Sequence, residues 1–384
     1  GLTKAGHIVD VISLSLEKSE YTYKDKLVTV HRIKPVRWFS PLQYVKFGGV
    51  ANILNYSLRA AQKLTELESI QGIDVVEAPL WGAEAFIYGL RPFAPLVIRL
   101  ETPQIEVAKI KGSYHALALA LRTCCWLERI TVNRATRVIA ISKDIAKVVS
   151  TAYGVSPSKV CICYLGINVE HDGTFDNQEG RRGRDGRRIV LYVGRLEERK
   201  GTRYLLEAIP QVLAKIPSAK FIIVGSDTPT APDGMFYKQY FDKCVADERS
   251  RLATLFRGFV SDEELNKLYK QCDVFVAPSL YESFGLVHLE AMARGKPVIA
   301  CRTGATPELV ADGETGILVA PGNSQELADA LIKLLSDDDL RHEMGQRAYK
   351  RVKTRFSLDL MVRSTLKTYR EAIGEFYARG DIGR

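Results

Sequence analysis

The chain has 384 residues, enough for two domains at about 150 residues each. Hydrophobic residues make up 46% and charged residues 26%, which excludes a disordered or collagen-like chain. The balance of 54 Lys+Arg against 45 Asp+Glu gives +9, favouring anionic partners such as phosphorylated substrates, acidic lipid surfaces or nucleic acid. Seven cysteines, none in a C-x-x-C pair, argue against a disulfide framework and a zinc site, and a reducing cytosolic setting fits. No apolar run approaches the roughly 20 residues that span a bilayer. The chain starts at Gly1 without a signal peptide, and its start reads as that of a fragment.

Along the first half, short Val/Ile-rich runs predict strands at 7–13, 27–33, 73–77, 95–100 and 137–142. They are nearly unbroken, as strands buried on both faces should be. Helical patterns lie at about 50–68, 82–90, 114–133 and 143–153. The stretch 169–187 has almost nothing to bury and reads as a linker. Its arginines, with no interleaved aromatics, favour solvation over nucleic-acid binding. The second half predicts strands at 188–194, 220–225, 254–258, 273–278 and 297–300. Ser261 to Glu264 and Asn323 to Glu326 have helix-capping spacing. One last long helix is expected from Ser357 to Tyr377. This alternation predicts parallel sheets, with each half a Rossmann-like α/β unit.

Ligands of such sheets bind beyond the carboxyl ends of the strands, which singles out two junctions. The first is VGRLEERKG (193–201), where Gly194, Arg195 and Lys200 precede a helix opening at Gly201. Two cations beside a helix N-terminus suit a diphosphate, although surface cations would look the same. The second is PSLYESFGLVHLEAMARGKPVIA (278–300), with Glu282 on the loop and Glu290 two turns into a helix that ends at Gly295. It places Glu282 at the mouth of a cleft, with the amides of Phe284, Gly285 and Leu286 at the positive end of the helix. A carboxylate accepting from vicinal hydroxyls is how Rossmann-type sites hold a ribose.

These runs, with TGATPELVADGETGILVAPGN (303–323), resemble the retaining nucleotide-sugar glycosyltransferases of GT-B architecture, known as glycosyltransferase group 1 or family 4. The signature is Glu282, seven residues, then Glu290, and the resemblance covers about 188–355 and, more weakly, 138–149. It implies two Rossmann-like domains facing a cleft. Residues 1–170 would bind the acceptor, 171–187 link, and 188–356 bind the nucleotide sugar. The helix 357–384 would pack back on the first domain. The resemblance further implies that Arg195 and Lys200 bind the donor diphosphate and Glu290 the ribose. Glu282, with the backbone of Ser283 to Leu286, would hold the sugar and phosphate, and Gly258 to Val260 would line the nucleobase. The donor would be a UDP- or GDP-sugar, the acceptor a saccharide or lipid-linked saccharide, and no metal or other cofactor is expected.

Three features depart from the family pattern. An N-terminal strand and Gly-rich loop have no counterpart in GLTKAGHIVDVIS. Glu101 stands where many members carry a His at the end of the strand PLVIRL, making it an acceptor-side candidate. His115 reads as a core or surface histidine, and Gly304-Ala305 replaces a Gly-Gly pair. Cys124, Cys125, Cys161 and Cys163 read as core fillers, and Asp337 to Asp339 as a capped turn. The stretch 105–129 combines Lys109, Lys111, Arg122, Arg129 and Trp126, so it suits either an anionic membrane or the core. The expected location is cytoplasmic, with peripheral contact at the inner membrane face. Rival readings are a nucleotide-sugar hydrolase or epimerase and a non-catalytic sugar-nucleotide-binding protein.

Overall fold

A computed structural model describes residues 1–17, 19–38, 48–110, 119–169 and 188–378. Lys111, His115, the linker 171–187 and residues 379–384 lie outside them. The chain forms two compact units, one of Gly1–Tyr164 with the segment from Asp359 onward, the other of Leu165–Leu358. No helix among the described residues is long and apolar enough to cross a membrane.

The first unit carries two sheets. In one, β1 (Val9–Leu14) runs parallel to β3 (Val28–Ile33), and β2 (Tyr21–Asp25) pairs antiparallel with β3. In the other, β4 (Val76–Pro79), β5 (Leu96–Leu100), β6 (Arg137–Ala140) and β7 (Val160–Ile162) are parallel and lie in that order. Val97, Ile98, Val138 and Ile139 are fully buried, as the unbroken apolar runs require. The expectation of burial on both faces fails for β1, an edge strand of its sheet among the described residues, where Val11 and Leu14 are exposed. The all-parallel expectation fails at β2, a polar Tyr-Thr-Tyr-Lys-Asp strand with every residue exposed. Lacking apolar alternation, it gives no strand signal.

The helix Leu358–Ala378 lies against the second sheet. Arg99 reaches Glu77 and Thr365, Tyr369 Oη donates to Glu77 at 2.9 Å, and Arg137 pairs with Glu375. Ala372 joins Val97, Ile139 and Cys163 in the core. Only Cys124 and Cys163 of the four expected core cysteines are buried; Cys125 and Cys161 are partly exposed. On the helix Leu119–Arg134, Leu127 faces inward and Trp126 outward, so that tryptophan is not a core residue.

The second unit is one six-stranded parallel sheet. Its strands are β8 (Arg188–Val193), β9 (Ala219–Val224), β10 (Thr254–Gly258), β11 (Val274–Ala277), β12 (Val298–Cys301) and β13 (Gly316–Val319). They are ordered β10-β9-β8-β11-β12-β13. This is the doubly wound order in which strand direction of progress reverses between the first and fourth strands, here between β8 and β11. β13 is a four-residue addition to the expected strands, too short for periodicity to mark, although Gly316 and Pro321 bracket its apolar run. Ser261 accepts from Glu264 N, Asn323 from Glu326 N and Asp337 from Leu340 N, each capping a helix. Asp338 pairs with Arg188 at 2.8 Å and with Arg341.

At the β8–β11 switch point the two following loops are in direct backbone contact. Gly201 has φ +65°, and a Cβ there would stand 1.9 Å from the Pro278 carbonyl oxygen. Gly154 has a similar φ of +69° but open space around it. Gly154→Ala should therefore cost only the left-handed penalty of about 1–2 kcal/mol. Gly201→Ala should cost more than about 3 kcal/mol, because the loops must separate as well. Urea denaturation of the two variants measures the difference; equal losses would contradict the contact.

Candidate donor-binding site

Short turns build the site at the carboxyl edge of the six-stranded sheet. β8 ends at Val193, and Gly194 N donates to Val224 O at 2.9 Å while Leu196 N donates to Ser226 O at 2.9 Å. Gly225 N in turn donates to Gly258 O at 2.8 Å, stitching the ends of β8, β9 and β10 together. The buried Tyr192 hydroxyl donates to Arg195 O at 3.1 Å and shares a 2.9 Å hydrogen bond with Thr202, fixing the turn against the helix Thr202–Lys215. Arg195 projects outward with its side chain 65% exposed.

The second turn follows β11. Leu280 N donates to Arg199 O at 2.8 Å and Arg199 Nη1 to Tyr281 O at 3.3 Å, so one residue clasps both loops. Glu197 Oε1 accepts from Arg199 at 3.0 Å and from Arg195 at 3.3 Å. Lys200 Nζ lies 2.6 Å from Glu282 Oε2. Glu282, expected at the mouth of a cleft, is 5% exposed, and its carboxylate is engaged by Lys200. Burial would raise the Glu282 carboxyl, but the Lys200 ammonium overrides it and holds it below the usual range. Glu282 O accepts from Ala305 N at 2.9 Å, and Gly304, with φ +51°, lies where a Cβ would meet that carbonyl. The Gly304-Ala305 pair thus still serves a close approach.

Beyond the loop, Ser283 is half-buried and the Phe284 side chain is buried against Phe356, which leaves only its backbone for the expected ligand contact. Gly285 precedes the helix Leu286–Met292, which ends three residues before Gly295. Glu290 therefore falls in its second turn rather than two full turns in. Glu290 is partly buried and Oε2 accepts from Tyr269 Oη at 2.8 Å. Gly258 closes β10, and Val260, largely buried, leads to the helix Asp262–Gln271 that carries Tyr269. In the first unit, Glu101 is exposed just past β5, and its charge adds to burial in raising the Glu84 carboxyl.

Arg195, Lys200, Glu282 and Glu290 thus share one edge of one sheet. Sequence reasoning missed Arg199, Glu197, His288 and Tyr269. Arg199 was visible as a third cation of the same run. His288 is fully buried with Nδ1 3.0 Å from Gly285 O, and burial lowers its pKa against the pull of Glu282. Tyr269 gives no linear signal, because its partner lies on another helix.

Comparison with known proteins gives the family and the fold. Residues 175–351 match the family model of glycosyl transferases group 1, and residues 1–171 that of glycosyltransferase family 4. A D-inositol 3-phosphate glycosyltransferase of Streptomyces bingchenggensis is 32% identical over 309 residues, covering 78% of this chain and 67% of that protein. The chain belongs to the group 1 glycosyltransferases. The uncharacterized glycosyltransferase MJ1607 of Methanocaldococcus jannaschii is 29% identical over 97% of this chain and 92% of its own length. Sucrose-phosphate synthase of Thermosynechococcus elongatus superposes with a TM-score of 0.73 at 21% identity, covering 97% of this chain and 91% of that one. Anabaena HepE, solved with UDP and glucose, gives 0.63 at 24% identity, covering 82% and 81%. The fold is GT-B.

In this glycosyltransferase the Lys200–Glu282 pair has a pH signature. A carboxyl held below its ordinary 4.5 adds stability that is complete above that value and lost as pH falls through the lowered one. Lys200→Met removes the counter-charge from a buried carboxylate, so the Glu282 pKa should rise above its unfolded value and the sign reverse. The variant should lose stability, relative to wild type, as pH rises from about 4 to 7. Urea midpoints across that range test it; parallel curves for the two proteins would contradict the pairing.

Proposed function

We propose that the chain transfers a sugar from a nucleoside diphosphate donor to an acceptor hydroxyl with retention of anomeric configuration. The observation that carries this reading is the gathering of Arg195 and the Lys200–Glu282 pair at the switch point of a doubly wound sheet. Charge on the leaving diphosphate grows as the glycosidic bond breaks. A fixed cation there stabilises the transition state more than the ground state, by about 3–4 kcal/mol for a well-placed donor. Glu282 holds the Lys200 ammonium at one place, and Arg195, exposed and only loosely held by Glu197, moves onto a phosphate oxygen with little to displace. The backbone of Ser283 to Leu286 follows on the same loop, and Glu290 accepts from the ribose.

Retention has two chemical routes, double displacement through a carboxylate nucleophile or same-face attack. Glu282 is buried and already paired, which disfavours it as a nucleophile and favours same-face attack, with a departing phosphate oxygen taking the acceptor proton. The same burial counts against the hydrolase reading. UDP and UDP-glucose complexes of HepE support a UDP-sugar donor, with a GDP-sugar as the alternative. The inositol-phosphate transferase supports a polyhydroxylated acceptor. The first unit is the proposed acceptor binder, with Glu101 its candidate contact.

Transfer of radiolabelled sugar from UDP- and GDP-sugars to a panel of saccharide, inositol-phosphate and lipid-linked acceptors, beside a water-only control, tests the reading. Product should form only with acceptor and persist in EDTA, since Arg195 and Lys200 supply the charge a metal would. Arg195→Ala should lower turnover at least about tenfold, on kcat at least as much as on KM. Wild-type turnover in that variant, or release of free sugar without acceptor, would contradict it.

A further inference from the structure

Glu290 is held from outside its own helix. Its Oε2 accepts from Tyr269 Oη at 2.8 Å, while Oε1 makes no hydrogen bond among the described residues. Tyr269 is 1% exposed, and its ring packs 5.6 Å from Phe275 of β11. Arg294 covers that ring at 5.3 Å, donates through Nη1 to Glu290 O at 2.8 Å and through Nε to Asn266 Oδ1 at 2.7 Å. Arg294 thereby ties the helices Asp262–Gln271 and Leu286–Met292 at two points around the tyrosine.

A glutamate on a helix surface has three freely turning side-chain torsions, so a carboxylate meant for a diol must be fixed or lose its bidentate geometry. A tyrosine with its ring locked in the core is a rigid donor for that purpose. Burial and the neighbouring Glu290 charge keep its hydroxyl protonated far above the ordinary range, so it always donates. The helix that carries it is capped by Ser261, directly after Gly258 to Val260. One hydrogen bond therefore joins the helix that follows the proposed base-lining segment to the proposed ribose-binding carboxylate.

We propose that Tyr269 is a positioning residue that orients the Glu290 carboxylate toward the ribose diol. It rests on the ribose role of Glu290 given above and adds the residue that enforces it. The alternative is a core tyrosine that merely satisfies its own hydroxyl. The two differ in what they do to discrimination between ribose and deoxyribose.

Isothermal titration with UDP and GDP, each against its 2′,3′-dideoxy counterpart, reads that discrimination on the full chain. The wild-type protein should prefer the ribose form of the nucleotide it binds by at least about tenfold. Tyr269→Phe, which removes one oxygen, should cut the preference to about threefold or less while leaving dideoxy affinity unchanged. Adding Tyr269→Phe to Glu290→Gln should change the ratio no further than Glu290→Gln does alone. A folded Tyr269→Phe that keeps the wild-type ratio, or that weakens both ligands equally, overturns the positioning role and leaves Glu290 intact. A wild-type protein that binds both forms equally overturns the ribose role of Glu290 and the inference with it.

Discussion

The Lys200–Glu282 ion pair is the constraint on which the proposed donor site depends. It ties the loop after β8 to the loop after β11 across the point where strand order reverses. A carboxylate 5% exposed is expensive to bury alone and becomes tolerable only with a counter-charge at hydrogen-bond distance. The pair therefore makes each loop depend on the other. The Arg199 contacts to Leu280 and Tyr281 and the absence of a side chain at Gly201 serve the same end, pressing the two loops together. What emerges is an ammonium held on Glu282 beside an exposed guanidinium paired with Glu197.

That division also explains why two glutamates eight residues apart are not equivalent. Glu282 looks inward and is held by a cation. Glu290 looks toward a tyrosine and keeps one oxygen uncommitted among the described residues. In the proposed function the first holds the Lys200 ammonium and the second is the ribose contact. Their common appearance in a linear motif conceals opposite environments.

Much of the second unit was legible in the sequence because most of its strands are largely buried and therefore mainly apolar. β8, β9, β11 and β12 announce themselves as short Val/Ile/Ala runs, and Ser261, Asn323 and Asp337 mark helix starts by side-chain chemistry alone. β2 escaped because an exposed strand needs no apolar pattern, and β13 because four residues are too few to show a period. Arg195, Lys200, Glu282 and Glu290 could be placed at strand ends from spacing. The pairing of Lys200 with Glu282, and of Tyr269 with Glu290, could not, since each joins segments 82 and 21 residues apart that only the folded sheet brings together.

The most direct test of the central claim is a crystal structure of the chain with bound UDP or GDP. The account predicts the diphosphate beside Arg195 and Lys200 at the β8–β11 switch point, with Arg195 released from Glu197 and Lys200 still on Glu282. A nucleotide bound elsewhere on the sheet, or a diphosphate that leaves Arg195 on Glu197 and contacts neither cation, would contradict it.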